Sequence, residues 1–243
     1  MTDAWIAGIN AVAAALEAGA SLTEVVIEQR AKNPRLQEIA AAAKAAEISV
    51  RFVPTEQLDR LAQGARHQGV VAQQVEQRNY DERDLEGLIE FVAKPLLLIL
   101  DGVQDPHNLG ACLRTAAAAG VTAVVVPKDR AVGLTPTVRK IAAGGAERVP
   151  LVRVTNLART MKQLQEAGVW IVGLAGEAAS NLYEIDLTGP IAIAMGSEGD
   201  GLRRLSREHC DYLAHIPMHC GMESLNVSVA TGICLFEALR QRR

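Results

Sequence analysis

Asn108, Arg114, Glu198, Ser224 and Asn226 are the side chains of this sequence whose types and settings could do chemistry. Ser224 and Asn226 lie in the stretch Leu213–Gln241, which starts strand-like, crosses a loop at His219–Glu223 and enters a helix, with Ser224 the expected N-cap. Polar groups gathered where a helix start leaves backbone N–H groups free can hold a polar or anionic ligand. Asn108 and Arg114 lie in D-G-V-Q-D-P-H-N-L-G-A-C-L-R (101–114). There Asn108 is an apt N-cap, Gly110 allows close backbone approach, and Arg114 is less than two turns on, so its stem can carry the guanidinium back toward the helix start. Glu198 stands in M-G-S-E-G-D-G-L-R-R (195–204), whose G-x-x-G-x-G order is neither the dinucleotide fingerprint nor a P-loop but suits backbone wrapped around a ligand. Taken singly, each segment also reads as ordinary structure: a capped helix, a surface arginine, a tight turn. His215, His219 and Cys220 have no fourth ligand at a recognisable spacing, so no metal is expected.

Positioning these residues requires a parallel sheet. Apolar runs at Leu96–Leu100, Thr122–Val126, Leu151–Val154, Val169–Leu174, Ile191–Met195 and Leu213–Pro217 read as strands. Helical patterns at Leu109–Ala119, Thr137–Ala143, Leu157–Ala167 and Leu202–Glu208 separate them. Near-continuous apolar strands alternating with helices predict a sheet covered on both faces, with ligands beyond the carboxyl ends of its strands. The loops after Leu100, Leu174, Met195 and Pro217 are therefore the places where a site is expected. The helix through Val227, Ala230, Ile233, Cys234, Leu235, Phe236, Ala238 and Leu239 is apolar on more than one face, which suits a large core or a subunit interface.

Residues 1–75 predict a smaller α/β unit: helices at Ala11–Ala18, Pro34–Glu47 and Thr55–Leu61, strands at Val25–Glu28, Ile48–Val53 and Val70–Val75. Its seven Lys/Arg face eight Asp/Glu, so it carries no basic stripe, and its one suggestive spot is the loop Gly64–Gly69. Residues 76–94 read as a linker holding a short helix at Leu85–Val92, and residues 95–243 as the second domain.

Composition narrows the class. The chain has 243 residues, about half of them apolar, and a net charge of −3, so bulk charge announces no nucleic-acid partner. Residues 127–153 are the exception, with six Lys/Arg against two acidic residues. No apolar run is long enough to span a membrane, the first residues do not resemble a secretory signal, and four scattered cysteines suit a reducing cytoplasm.

Three segments, N-L-G-A-C-L-R (108–114), I-A-M-G-S-E-G-D-G-L (193–202) and I-P-M…E-S-L-N-V-S-V-A (216–230), resemble the three motifs of the TrmH branch of the SPOUT superfamily. That branch comprises S-adenosylmethionine-dependent RNA ribose 2′-O-methyltransferases. The resemblance covers essentially the whole chain, and D-P-H-N-L-G-A, V-P-K-D-R and V-T-N-L-A-R-T are most like the members that methylate a guanosine ribose in bacterial 23S rRNA. His219–Met222 departs from the small, bland loop of the family. The resemblance implies an RNA-binding N-terminal domain, a trefoil knot in the C-terminal domain and a homodimer formed through the last helix. It implies that S-adenosylmethionine is held by Leu174, Ala175, Gly176, Gly196, Ile216, Met218 and Leu225, and that Asn108, Arg114, Glu198, Ser224 and Asn226 surround the reacting ribose. Methylation of tRNA and non-catalytic RNA binding are the alternatives.

Overall fold

The computed structural model describes residues 3–17, 20, 22–29, 33–75, 79–219 and 224–243. Glu223, most of the atypical His219–Met222 loop and part of the expected linker lie outside the described residues. The chain divides into two compact units, Met1–Arg78 and Asn79–Arg243.

The first unit runs β1 (Asp3–Ala7), α1 (Ile9–Glu17), β2 (Leu22–Glu28), α2 (Pro34–Ala45), β3 (Ser49–Val53), α3 (Thr55–Ala62) and β4 (Val70–Val75). Its sheet has the order β1-β4-β2-β3, with β2 and β3 parallel and β4 antiparallel to both its neighbours. The sequence pattern missed β1. Val25 and Ile27 face the helices α1 and α2, while Val26 and Val71 face α3, so the sheet is buried on both sides.

The second unit contains β5 (Tyr80–Asp81), α4 (Leu85–Ile89), β6 (Leu96–Asp101), α5 (Pro106–Ala119), β7 (Ala123–Pro127), α6 (Pro136–Ala142), α7 (Gly145–Arg148), β8 (Leu151–Val154), α8 (Leu157–Glu166), β9 (Trp170–Leu174), β10 (Ser180–Asn181), β11 (Ile191–Gly196), α9 (Arg204–Glu208), β12 (Tyr212–His215) and α10 (Val227–Gln241). Its strands form one parallel sheet in the order β10-β12-β9-β11-β6-β7-β8-β5. Along β6 the side chains alternate: Leu96, Leu98 and Leu100 enter the core beneath α5 and α10, while Leu97 and Ile99 enter the one beneath α4 and α8. Each such fully buried side chain contributes about 1.5–3 kcal/mol relative to exposure.

Three expectations are corrected. Residues 79–94 are not linker: β5 extends the sheet beside β8, and Leu85 and Ile89, one helical turn apart, are buried in its core. Their polar neighbours hid this in the sequence. Asn108 is not an N-cap; Asp105 is, accepting from the His107 N–H at 2.9 Å, with Pro106 in the first helical position. Proline there fixes φ and surrenders an N–H that would be unpaired anyway, so Asp-Pro starts the helix ahead of Asn108. Ser224 does not cap α10 either; Asn226 does, accepting from the Ser228 N–H at 2.9 Å.

Candidate active site

The carboxyl ends of β9, β11 and β12 and the start of α10 enclose a cavity of about 780 Å³, a volume suited to a cofactor-sized ligand. Leu174, Ala175, Gly176, Gly196, Ile216, Met218 and Leu225 all line it, as do Glu198, Ser224 and Asn226. Asn108 and Arg114 do not.

Its floor depends on one glycine loop. Ser197 and Gly201 exchange backbone hydrogen bonds at 3.1 Å in both directions, closing a tight loop over Glu198, Gly199 and Asp200. Gly199 and Gly201 have φ of +90° and +64°, where side chains with a Cβ are strained. A Cβ on Gly196 would lie 1.9 Å from the Gly201 carbonyl carbon, so the strand end and the returning loop are in direct backbone contact. The loop is tethered to β6 by Asp101, whose nearly inaccessible carboxylate accepts from Arg203 N at 3.1 Å and Arg203 Nε at 2.5 Å. Neither residue stood out in the sequence. The available signal was a carboxylate directly following L-L-L-I-L, where burial demands a cationic partner.

Asn226 joins three segments. Its amide nitrogen donates to Asn108 Oδ1 at 2.9 Å and to Glu198 Oε1 at 2.6 Å, while its oxygen caps α10. Asn108, buried in the first turn of α5, thereby reaches the cavity wall through Asn226. Ser224 is exposed on the lining. Arg114 is exposed on α5, and among the described residues its side chain makes no hydrogen bond or ion pair. A Cβ on Gly145 would come within 2.8 Å of Arg114 Cα, so α7 packs directly on the backbone beneath it. Gly110 serves the same close packing, its Cβ position 2.8 Å from Val138 O of α6. These contacts bring the basic segment, with Arg139, Lys140 and Arg148 on α6 and α7, alongside α5. Glu147 neutralises Arg139 in part at 3.1 Å.

Among the described residues, nucleophilic sulfur chemistry has no support. Burial pushes the Cys112 thiol up to about 11, and the Cys210 and Cys234 thiols up to about 12. All three stay protonated at neutral pH and pack as small apolar groups. Among the described residues no cluster could hold a metal ion, and no helix is long and apolar enough to cross a membrane.

Comparison with known proteins identifies the family of the chain. The SpoU rRNA Methylase family matches residues 95–236, and the RNA 2'-O ribose methyltransferase substrate binding family matches residues 5–80. The chain is 58% identical over 240 residues to the 23S rRNA (guanosine-2'-O-)-methyltransferase RlmB of Xanthomonas campestris pv. campestris, spanning 98% of this chain and 96% of that one. It is 55% identical over 238 residues to the RlmB of Escherichia coli K12, with 98% of both chains covered. Among solved structures, the AdoMet-bound rRNA methyltransferase of Sinorhizobium meliloti is similar with a TM-score of 0.62 and 28% identity, covering 98% of this chain and 87% of that one.

Proposed function

The chain belongs to the SpoU rRNA methylase family, and on that premise we propose that it methylates the ribose 2′-oxygen of a guanosine in 23S rRNA, using S-adenosylmethionine. The observation that supports this reading is the Asn226 side chain, which lines a cofactor-sized cavity and donates both to Glu198 on the same lining and to Asn108 behind it.

The residues fit the cofactor. Leu174, Ile216, Met218, Leu225, Val227 and Ala230 offer an apolar surface for a flat base, and Gly176 and Gly196 leave backbone within reach. Leu174, Ala175, Gly176, Gly196, Ile216, Met218 and Leu225 are the residues that would hold it. When bound, it supplies a methyl group already activated on a positively charged sulfur. The remaining tasks belong to this chain: to align the hydroxyl and to assist loss of its proton. Glu198, Ser224 and Asn226 form the polar wall for the ribose, with Asn108 behind Asn226 and Glu198 oriented by the Asn226 amide. The Arg114 guanidinium is a planar fork of N–H donors with no acceptor, so it acts by clamping the RNA phosphate beside that ribose, a bidentate task. The basic segment 127–153 carries the RNA backbone past α5.

The first unit would supply target choice, since every nucleotide of an RNA carries a 2′-hydroxyl and selection must come from shape and distant contacts. The outer face of α10 exposes Val229 and Phe236, at 52% and 48%, and would form a homodimer. A trefoil-knotted second domain and a cytoplasmic location complete the proposal.

The test is transfer of radiolabelled methyl groups from S-adenosylmethionine to 23S rRNA and to tRNA, with the modified nucleotide mapped. Labelling of a guanosine 2′-oxygen in 23S rRNA is expected. Labelling of tRNA alone, or binding of 23S rRNA without transfer, would overturn it.

A further inference from the structure

Among the described residues, the cavity is lined by three carboxylates, Glu177, Glu198 and Asp200, and by a single Lys/Arg side chain, Arg207. Arg207 lies in the last turn of α9 and donates through Nη1 to Glu177 Oε1. Glu177 directly follows Leu174–Gly176, the loop at the end of β9. The Arg207 hydrogen bond, ahead of a backbone hydrogen bond, holds the Glu177 carboxyl below its ordinary range. Both side chains remain open to solvent, 40% for Arg207 and 63% for Glu177. An ion pair this exposed adds little to stability, so the fold has small need of it.

The position of Arg207 is set by the site. Its N–H donates to Arg203 O at 2.9 Å, and Arg203 is the residue tied to Asp101 beneath the glycine loop. The backbone that carries Arg207 is therefore held at the rim, and its guanidinium reaches Glu177 there. S-adenosylmethionine carries two cations, the sulfonium and the amino-acid ammonium, and one anion, the amino-acid carboxylate. Three carboxylates suit the cations, whereas the anion has one strong counterpart. His215 also lines the cavity, but its Nδ1 is enclosed and, among the described residues, has no hydrogen-bond partner.

We infer that Arg207 binds the amino-acid carboxylate of the methyl donor, and that Glu177 holds that place until the donor arrives. The exchange replaces one carboxylate by another on the same guanidinium, whose planar fork suits a bidentate partner. This assignment rests on the S-adenosylmethionine reading of the cavity.

The experiment is calorimetric titration of the full-length protein with S-adenosylmethionine and with its decarboxylated analogue, for wild type, Arg207→Gln, Arg207→Lys and Glu177→Gln. Wild type should prefer the carboxylated compound by about 10- to 100-fold. Arg207→Gln should lose that preference by weakening the carboxylated compound while leaving the analogue unchanged. Arg207→Lys should keep part of it, and also serves if the glutamine variant fails to fold. Glu177→Gln should bind the donor at least as tightly as wild type. A full preference retained in both folded Arg207 variants overturns the assignment, as does weakened donor binding in Glu177→Gln, which would make Glu177 itself the ligand-binding group. Failure of wild type to bind either compound removes the cofactor reading itself, and this assignment with it.

Discussion

The Asn226 amide donates to Asn108 Oδ1 at 2.9 Å across 118 residues of sequence, and the same nitrogen reaches Glu198. One side chain thus starts α10, ties it to the first turn of α5 and orients the acidic residue of the glycine loop. Asn226→Asp separates these duties. Aspartate caps a helix as well as asparagine does, so α10 should still form and the protein should still fold, with a melting temperature lowered by the lost tie to Asn108. The amide donor, however, becomes an acceptor facing a carboxylate. Methyl transfer to 23S rRNA should fall by at least about 100-fold, the scale of losing a preorganised polar contact at a reacting centre. Kinetics and thermal melts on one preparation check both halves, and near-normal kinetics would remove the bridge from the mechanism.

Gly196→Ala should damage the cavity without touching its polar groups. The added Cβ would overlap the Gly201 backbone at 1.9 Å, a contact no side-chain movement relieves. The loop must shift, and S-adenosylmethionine affinity should drop by at least about tenfold, the equivalent of 1.4 kcal/mol. Equilibrium dialysis measures it. Unchanged affinity would mean that the loop does not shape the binding site.

Arg114 stands on α5 away from the cavity lining, so Arg114→Ala should leave cofactor affinity near wild type while abolishing methyl transfer. Arg114→Lys should fail as well, because an ammonium cannot reproduce a planar fork. Calorimetry showing lost cofactor binding in a folded Arg114→Ala protein would contradict this placement.

The two apolar faces of α10 respond differently. Leu235 is fully buried in the subunit's own core beside Cys234 and Ala238, so Leu235→Glu should prevent folding. Phe236 is 48% exposed, and Phe236→Glu should leave the monomer folded but unable to pair. Sedimentation of Phe236→Glu as a dimer at wild-type affinity would rule out this face as the interface.

Glu237 gives stability an acid limb. Hydrogen bonds from Arg240, at 2.8 Å to each carboxylate oxygen, lead in lowering its pKa from 4.5 to about 2. A carboxyl with a depressed folded pKa binds fewer protons folded than unfolded between those values. Its contribution is present above pH 4.5 and is lost as the pH falls toward 2. Glu237→Gln should be less stable than wild type at neutral pH, with the difference shrinking across that window. Urea melts at a series of pH values test it, and a difference independent of pH would exclude the ionic origin.

The parallel sheet and the loops at the carboxyl ends of its strands were legible in the residue pattern. Runs such as L-L-L-I-L and I-A-I-A-M have no use except inside a sheet covered on both faces, and ligands gather at the carboxyl ends of such strands. Local rules were weaker at boundaries. Asp-Pro outranked Asn108 as a helix start, Asn226 outranked Ser224, and Leu85 and Ile89 turned an apparent linker into core. Which side chains meet across the site follows from the way the chain folds. That Asn226 bonds Asn108 and Glu198, that Asp101 holds Arg203, and that Arg207 holds Glu177 are contacts between distant segments. Periodicity and capping describe neighbours within a turn or a strand, whereas these pairs exist because the order β12-β9-β11-β6 brings four strand-end segments to one end of the sheet.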